Sequence, residues 1–216
     1  MKEKPHSYYE WVRYDLLALL PKAVSLDHVL DVGCGAGVTG EVLKKEYGAK
    51  YVIGLEVDAR AAQEAQRRLD EVIVGSVERE DLPFQVEQFD LILMGDVLEH
   101  LIDPWKALSR LVRYLKPDGL VLISLPNIQH WRTAMQLLRG RWEYTAGGTL
   151  DQTHLRFFTI KSIKKLFIKS GLNVTKIRYN MGPETRIVNF ATFGLFKGFL
   201  VYQVLIQAKK TNQAVE

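Results

Sequence analysis

The stretch VLDVGCGAGVTG, residues 29–40, decides how this chain is read. An apolar run ends in Asp31 and then breaks into glycines at alternate positions, Gly33, Gly35 and Gly37, before a helical pattern over 38–47. Glycine takes positive φ without steric cost and carries no Cβ, so the loop turns sharply and lets a ligand lie against bare backbone at a helix start. A strand opening into a small-molecule-binding loop follows from these residues.

The spacing narrows the ligand. The dinucleotide fingerprint G-x-G-x-x-G needs a small residue at its sixth place, and here that place is Val38. Asp31 precedes the glycines, where a pyrophosphate would meet an unwelcome carboxylate; a ligand with an ammonium group and no phosphate, such as S-adenosylmethionine, would find it useful. Further on, YVIGLEVD (51–58) reads as a second strand ending at Glu56 and Val57, where ribose hydroxyls can donate to a carboxylate.

With the loop and its two acids in place, the chain resembles the class I S-adenosylmethionine-dependent methyltransferases over nearly its whole length. That resemblance implies that Asp31, Gly33, Cys34, Gly35 and Gly37 hold the methionine part, Glu56 and Val57 the ribose, and Ser76 and Val77 the adenine. Many members carry Asp where this chain has Ser76. The stretches LEH, SLPN and LDQTHLRFFT are similar to the ubiquinone-biosynthesis O-methyltransferases and, more closely, to small bacterial methyltransferases of polysaccharide and glycosyl-transfer pathways. The resemblance implies O-methylation of a small molecule or of a sugar- or glycan-linked hydroxyl.

Periodicity gives an α/β chain throughout. An N-terminal helix is expected near 7–20, stopped by Pro21. Strands follow near 28–32, 51–56, 72–74, 90–94 and 120–125, with helices near 38–47, 60–69 and 104–115, and then a helix near 128–138 and late strands near 173–179 and 201–208. Near-continuous apolar strands such as LILM and LVLISL imply a sheet covered on both faces. A Rossmann-like doubly wound sheet of seven strands, mostly parallel with one antiparallel, is the fold expected. We expect one domain over 1–216, residues 1–21 acting as a lid and 126–158 as an acceptor-pocket insertion.

Composition agrees: 47% hydrophobic and 25% charged residues are ordinary for a globular domain of 216 residues, and no apolar run has the length of a membrane span. With no leader pattern at residues 1–11, a cytoplasmic location is expected. The single cysteine, Cys34, reads as a small residue that tolerates close packing. The net charge of +4 requires no nucleic acid partner. Its lysines concentrate in residues 159–171, where Lys161, Lys164, Lys165 and Lys169 form the solvated face of an amphipathic helix. The apolar run IVNFATFGLFKGFL (187–200) reads as a buried helix or a homodimer surface, and is compatible with a lipid-linked acceptor.

Methyl transfer to an alcohol or phenol leaves a proton to remove, and histidine is the side chain suited to that near neutral pH. Of five histidines, His6 and His28 fall outside the crevice expected beyond the carboxyl ends of the strands. His100, after the fourth strand, is a base candidate or a structural loop residue. His154 has the same two readings, with Asp151 and Arg156 as neighbours. His130 begins a helix and reads as a cap. Asp96 is either a contact to the methionine end of the cofactor or a helix N-cap. In the first helix, Tyr8, Trp11 and Asp15 share one side and Tyr9 and Arg13 the other, one side packing and the other available to ligands. No metal site is expected, because the histidines are far apart in sequence and lack paired carboxylates at ligand spacing. A noncatalytic cofactor-binding module and a nicotinamide-dependent oxidoreductase are the alternatives, Val38 counting against the second.

Overall fold

The computed structural model describes residues 10–211. Within them β1 (His28–Val32), β2 (Tyr51–Glu56), β3 (Glu71–Val74), β4 (Phe89–Gly95), β5 (Leu115–Pro126), β6 (Leu172–Asn180) and β7 (Gln203–Lys210) form one seven-stranded sheet in the order β3-β2-β1-β4-β5-β7-β6. The first five strands pair in parallel, and β7 runs antiparallel between β5 and β6, as the sequence pattern implied.

Successive side chains of a strand point to opposite faces, and the apolar runs use this to build two cores. Leu30, Ile53, Ile92 and Val121 pack on one face with α4 (Pro104–Tyr114) and α6 (Ile160–Lys169), through residues such as Leu108 and Phe167. Val29, Val52, Leu91 and Leu122 pack on the other with Leu43 of α2 (Val38–Tyr47) and Ala65 of α3 (Ala59–Ala65). The strand order turns back at β1, whose neighbours are β2 and β4. That switch point leaves a crevice beyond the strands' carboxyl ends, where α/β sheets receive ligands.

Three local readings change. The N-terminal helix is confined, among the described residues, to α1 (Tyr14–Leu17); residues 10–13 are not helical, and residues 7–9, with Tyr8 and Tyr9, lie outside the described residues, as does His6. The reason is Arg13, whose amide donates to Thr39 Oγ1 at 3.2 Å and whose side chain is drawn into the crevice. β5 starts earlier than the apolar run, because Leu115 already pairs with Phe89. Residues 187–200 are not a buried helix: α7 (Pro183–Ala191) buries no residue, and α8 (Lys197–Leu200) buries only Leu200. The lysine run forms α6 as expected. Thr159 and Ser162 close a capping box at its start, Ile163, Leu166 and Phe167 are buried, and the lysines face out.

Candidate active site

The glycine loop lies at the head of β1 in left-handed backbone, with φ of +68° at Gly33, +54° at Gly35 and +79° at Gly37. A Cβ on Gly33 would come within 2.7 Å of Val97 Cγ2, and one on Gly37 within 3.0 Å of the Ala65 backbone. Both conformation and space therefore demand glycine there. Cys34 points the other way, into the core, where its sulfur fills the place a side chain on Gly54 would need. Burial, and then the nearby Asp31 and Glu56 carboxylates, push its thiol well above the ordinary range, which makes it a packing residue.

The two acids differ in what holds them. Glu56 is tied down by backbone: its Oε2 accepts from Gly35 N at 2.8 Å, and its Oε1 from Val57 N and Asp58 N at 2.8 and 2.9 Å. Asp31 is 3% exposed, yet its Oδ2 receives no hydrogen bond from the described residues. Burial, with the Glu56 charge adding to it and Arg13 opposing, raises the Asp31 carboxyl to about 7. A buried carboxylate oxygen without a donor beside a glycine loop is matched by a cationic ligand group.

Beyond the loop, six residues from five segments meet in one polar network. The Arg13 guanidinium donates to Asp96 at 2.7 Å, to Asp15 at 3.1 Å and to Ser124 at 3.0 Å. The Asp96 carboxylate also accepts from Gln203 Nε2 at 2.8 and 3.0 Å and from Ser124 Oγ at 2.8 Å, and Asn180 Nδ2 donates to Gln203 at 3.1 Å. This settles one open reading. Asp96 caps no helix, since its carboxylate is spent in the network and its backbone is left-handed at φ +56°. Arg13, Asp15, Asp96, Asn180 and Gln203 of the network line one cavity of about 1330 Å³ with Gly33, Cys34 and Gly35 of the loop, larger than the ~300–1,000 Å³ usual for a single small ligand and roomy enough for two; Gly37, expected to hold the methionine part, packs instead on Ala65 and is absent from the lining. Val57, Ser76 and Val77 line the cavity as well; the Ser76 hydroxyl oxygen already accepts from Glu78 N at 3.1 Å.

His100 opens into this cavity from the 3₁₀ turn Leu98–His100 that follows β4. The Glu99 carbonyl accepts from Leu155 N and Arg156 N, which stitches this turn to residues 151–156 and brings the rings of His100 and His154 edge to face, 4.7 Å between centroids. His100 Nδ1 lies 3.2 Å from the Thr153 carbonyl oxygen and 3.1 Å from its hydroxyl, which itself donates to Asp151. A carbonyl only accepts, so Nδ1 carries the proton and the ring's lone pair sits on Nε2. His154 is buried, with Nδ1 bonded to the Thr149 carbonyl at 3.1 Å, and does not line the cavity; burial, then the neighbouring His100, lower its pKa.

Glu99 is the residue that sequence reading passed over. It is fully buried, neither carboxylate oxygen has a hydrogen-bond partner among the described residues, and Oε1 is 4.0 Å from His154 Nε2. Burial, with Asp96 adding to it, raises its carboxyl well above the ordinary range. Separation of the histidines in sequence was thus a poor guide to their placement: Glu99, His100 and His154 offer ligand-type atoms within 4.8 Å of one another. Other expectations about the roof also change. Among the described residues of 126–158, only Thr153 lines the cavity, while Asn180, Tyr202 and Gln203 close it from the ends of β6 and β7. Arg156 donates to the Ile102 carbonyl at 2.5 Å and is absent from the lining, and His130 is the N-cap residue of α5 (Trp131–Leu138), also outside it.

A methyltransferase-domain family matches residues 6–177. The chain belongs to this family. Among relatives of the chain, the ubiquinone biosynthesis O-methyltransferase of Cereibacter sphaeroides is 30% identical over 67% of this chain and 60% of its own length. The match thus spans less than two thirds of that relative. A demethylmenaquinone methyltransferase of Lactiplantibacillus plantarum is 32% identical, over 72% of this chain and 74% of its own. The fold is similar to a crystal structure of a SAM dependent methyltransferase from Archaeoglobus fulgidus, with a TM-score of 0.70, 19% identity and 95% of each chain covered. The methyltransferase family implies S-adenosylmethionine as cofactor, and the cavity's chemistry fits it. The Asp31 oxygen lacks a donor, the loop excludes any Cβ at Gly33, and carboxylates outnumber cations around the methionine end, as an ammonium and a sulfonium require.

Proposed function

We propose that this methyltransferase O-methylates a small molecule, at a phenolic hydroxyl or the hydroxyl of a sugar or glycan-linked unit, with His100 as general base. The observation that carries the reading is the placement of His100 in the same cavity as the glycine loop, with Nδ1–H anchored on the Thr153 carbonyl. Imidazole is the side chain suited to removing the proton of a hydroxyl acceptor. The ubiquinone relative, named for O-methylation, supports the choice of oxygen.

When bound, S-adenosylmethionine supplies a methyl group already made electrophilic by its sulfonium. Asp31 would pair with the cofactor's ammonium group, while Arg13, held between Asp15 and Asp96, would meet its carboxylate. Glu56 Oε2, which takes a single backbone donor, would accept from a ribose hydroxyl, with the backbone of Gly33, Cys34 and Gly35 beneath. Val57, Ser76 and Val77 would flank the adenine. Alignment of acceptor and donor accounts for most of the acceleration in such an in-line displacement. His100 Nε2 would take up the acceptor's hydroxyl proton. His154 and Glu99 touch neither ligand and act as positioning residues behind the His100 ring.

Incubating the protein with methyl-labelled S-adenosylmethionine and a panel of phenols and sugar derivatives, and locating the label by NMR, tests this. A labelled O-methyl group is expected. Label found only on nitrogen or carbon acceptors would overturn the assignment to oxygen.

A further inference from the structure

The connection between β6 and β7 is unlike the rest of the surface. α7 buries none of its residues, and Ile187 is 71%, Phe190 85%, Phe193 99% and Leu195 78% exposed. The segment nevertheless has a fixed seat. Leu200 of α8 is buried in the core, and Asn127 Nδ2 donates to both the Gly198 and Val201 carbonyls at 2.8 Å. At the tip, Phe193 and Gly194 are both left-handed, at φ +49° and +77°, so the chain reverses there with the Phe193 ring outside. A bulky residue at positive φ is a costly choice for a turn that merely connects.

The charge around this apolar ridge is net positive. α5, which packs against α8, exposes Leu137 and Leu138 at 59% and 79%. Residues 131–143 and 183–200 together hold five cations, Arg132, Arg139, Arg141, Arg186 and Lys197, against two carboxylates, Glu143 and Glu184. An isologous contact with a second copy would set these cations against themselves. Exposed phenylalanines and leucines ringed by basic groups match instead the boundary of a bilayer with anionic headgroups, where apolar side chains enter the acyl region and cations remain at the phosphates. No helix of the described residues is long and apolar enough to cross a membrane. The segment's two ends lie at the cavity, since Asn180 precedes α7 and Tyr202 follows α8 and both line it. It also lies outside the 6–177 matched by the family.

We propose that α7, α8 and the turn between them, flanked by α5, dock this protein on the surface of an anionic lipid bilayer, with the mouth of the cavity beside the headgroups. The proposal concerns association with the bilayer alone and stands whatever the acceptor of methyl transfer proves to be.

Flotation of the full chain with phosphatidylcholine vesicles, with and without phosphatidylglycerol, tests it, alongside sedimentation velocity without lipid. The wild type is expected to float with the phosphatidylglycerol vesicles, about tenfold less with phosphatidylcholine alone, and less as salt is raised. Phe190→Ser/Phe193→Ser and, separately, Arg139→Glu/Arg141→Glu are expected to lower the bound fraction about tenfold or more, with unchanged thermal midpoint and S-adenosylhomocysteine affinity, since all four residues are exposed. A wild type that stays at the bottom of the gradient overturns the proposal. So does a doubly substituted protein that floats as well as the wild type. A dimer that does not float and that Phe190→Ser/Phe193→Ser converts to monomer would assign the ridge to a second copy and overturn it equally.

Discussion

Asp31 ties cofactor affinity to pH in a way that can be worked from the structure. Its carboxyl sits at about 7, against about 3.9 for an unperturbed aspartate, because the group is buried and faces Glu56. Three units at about 1.36 kcal/mol each put the cost of ionising it in the ligand-free fold at about 4 kcal/mol. A folded-state pKa raised above the unfolded value means that the folded chain binds the proton more tightly. Asp31's favourable contribution to stability is therefore full below about pH 4 and is lost as pH rises toward 7. Ligand binding runs the other way, since an ammonium group pairs with the ionised form. About nine tenths of Asp31 is ionised at pH 8 and about one tenth at pH 6, so affinity for S-adenosylhomocysteine should fall about tenfold between them. Titration calorimetry at pH 6, 7 and 8, in two buffers of different ionisation enthalpy, reads both the affinity and the proton released at the lower pH. Asp31→Asn should abolish the pH dependence and weaken binding at pH 8, yet raise the thermal midpoint there, with the gain shrinking toward pH 5. A wild-type affinity that is flat from pH 6 to 8, or an Asn variant that binds as tightly as wild type at pH 8, would refute the reasoning.

Other outcomes follow from single contacts. Gly33→Ala sets a Cβ 2.7 Å from Val97 Cγ2 at φ +68°, and thermal denaturation should show a loss of about 1–2 kcal/mol or more, with S-adenosylhomocysteine binding lost by calorimetry. Cys34 should react with a thiol reagent only on unfolding, because it is buried and its thiolate is disfavoured; labelling of the native chain at the rate of a free thiol would contradict this. Glu99→Gln should shift the thermal midpoint little, since burial disfavours the charged form of this acid, whereas a loss of about 3 kcal/mol would show that Glu99 is ionised and paired.

The sheet was legible because its signals are local. Apolar strands buried on both faces, glycines at alternate positions and an acid at each strand end leave little room for another fold, and the structure follows them strand by strand. The loop's backbone was legible for the same reason, since Gly33 and Gly37 are demanded by conformation and by contacts to Val97 and Ala65. What lay hidden depends on contacts between distant segments. Arg13, Asp96, Ser124, Asn180 and Gln203 are ordinary polar residues until the fold joins them, and the tether of Arg13 cuts the first helix to Tyr14–Leu17. Glu99 carried no sequence signal beyond its place beside His100. Only the pairing of the Glu99 carbonyl with residues 155 and 156 brings His154 against it. The buried-helix alternative for 187–200 fails because an apolar run gives no sign of whether protein or something outside it covers the surface.

The claim at the centre of this account is that His100 removes the acceptor's proton. Single-turnover methyl transfer at pH 7.5, with wild type and His100→Ala on an acceptor found by the labelled panel, measures it directly, with S-adenosylhomocysteine affinity taken in parallel. The account predicts a rate lower by about 10²–10⁴ in the variant, with cofactor affinity unchanged. A His100→Ala enzyme that transfers methyl at the wild-type rate would contradict it.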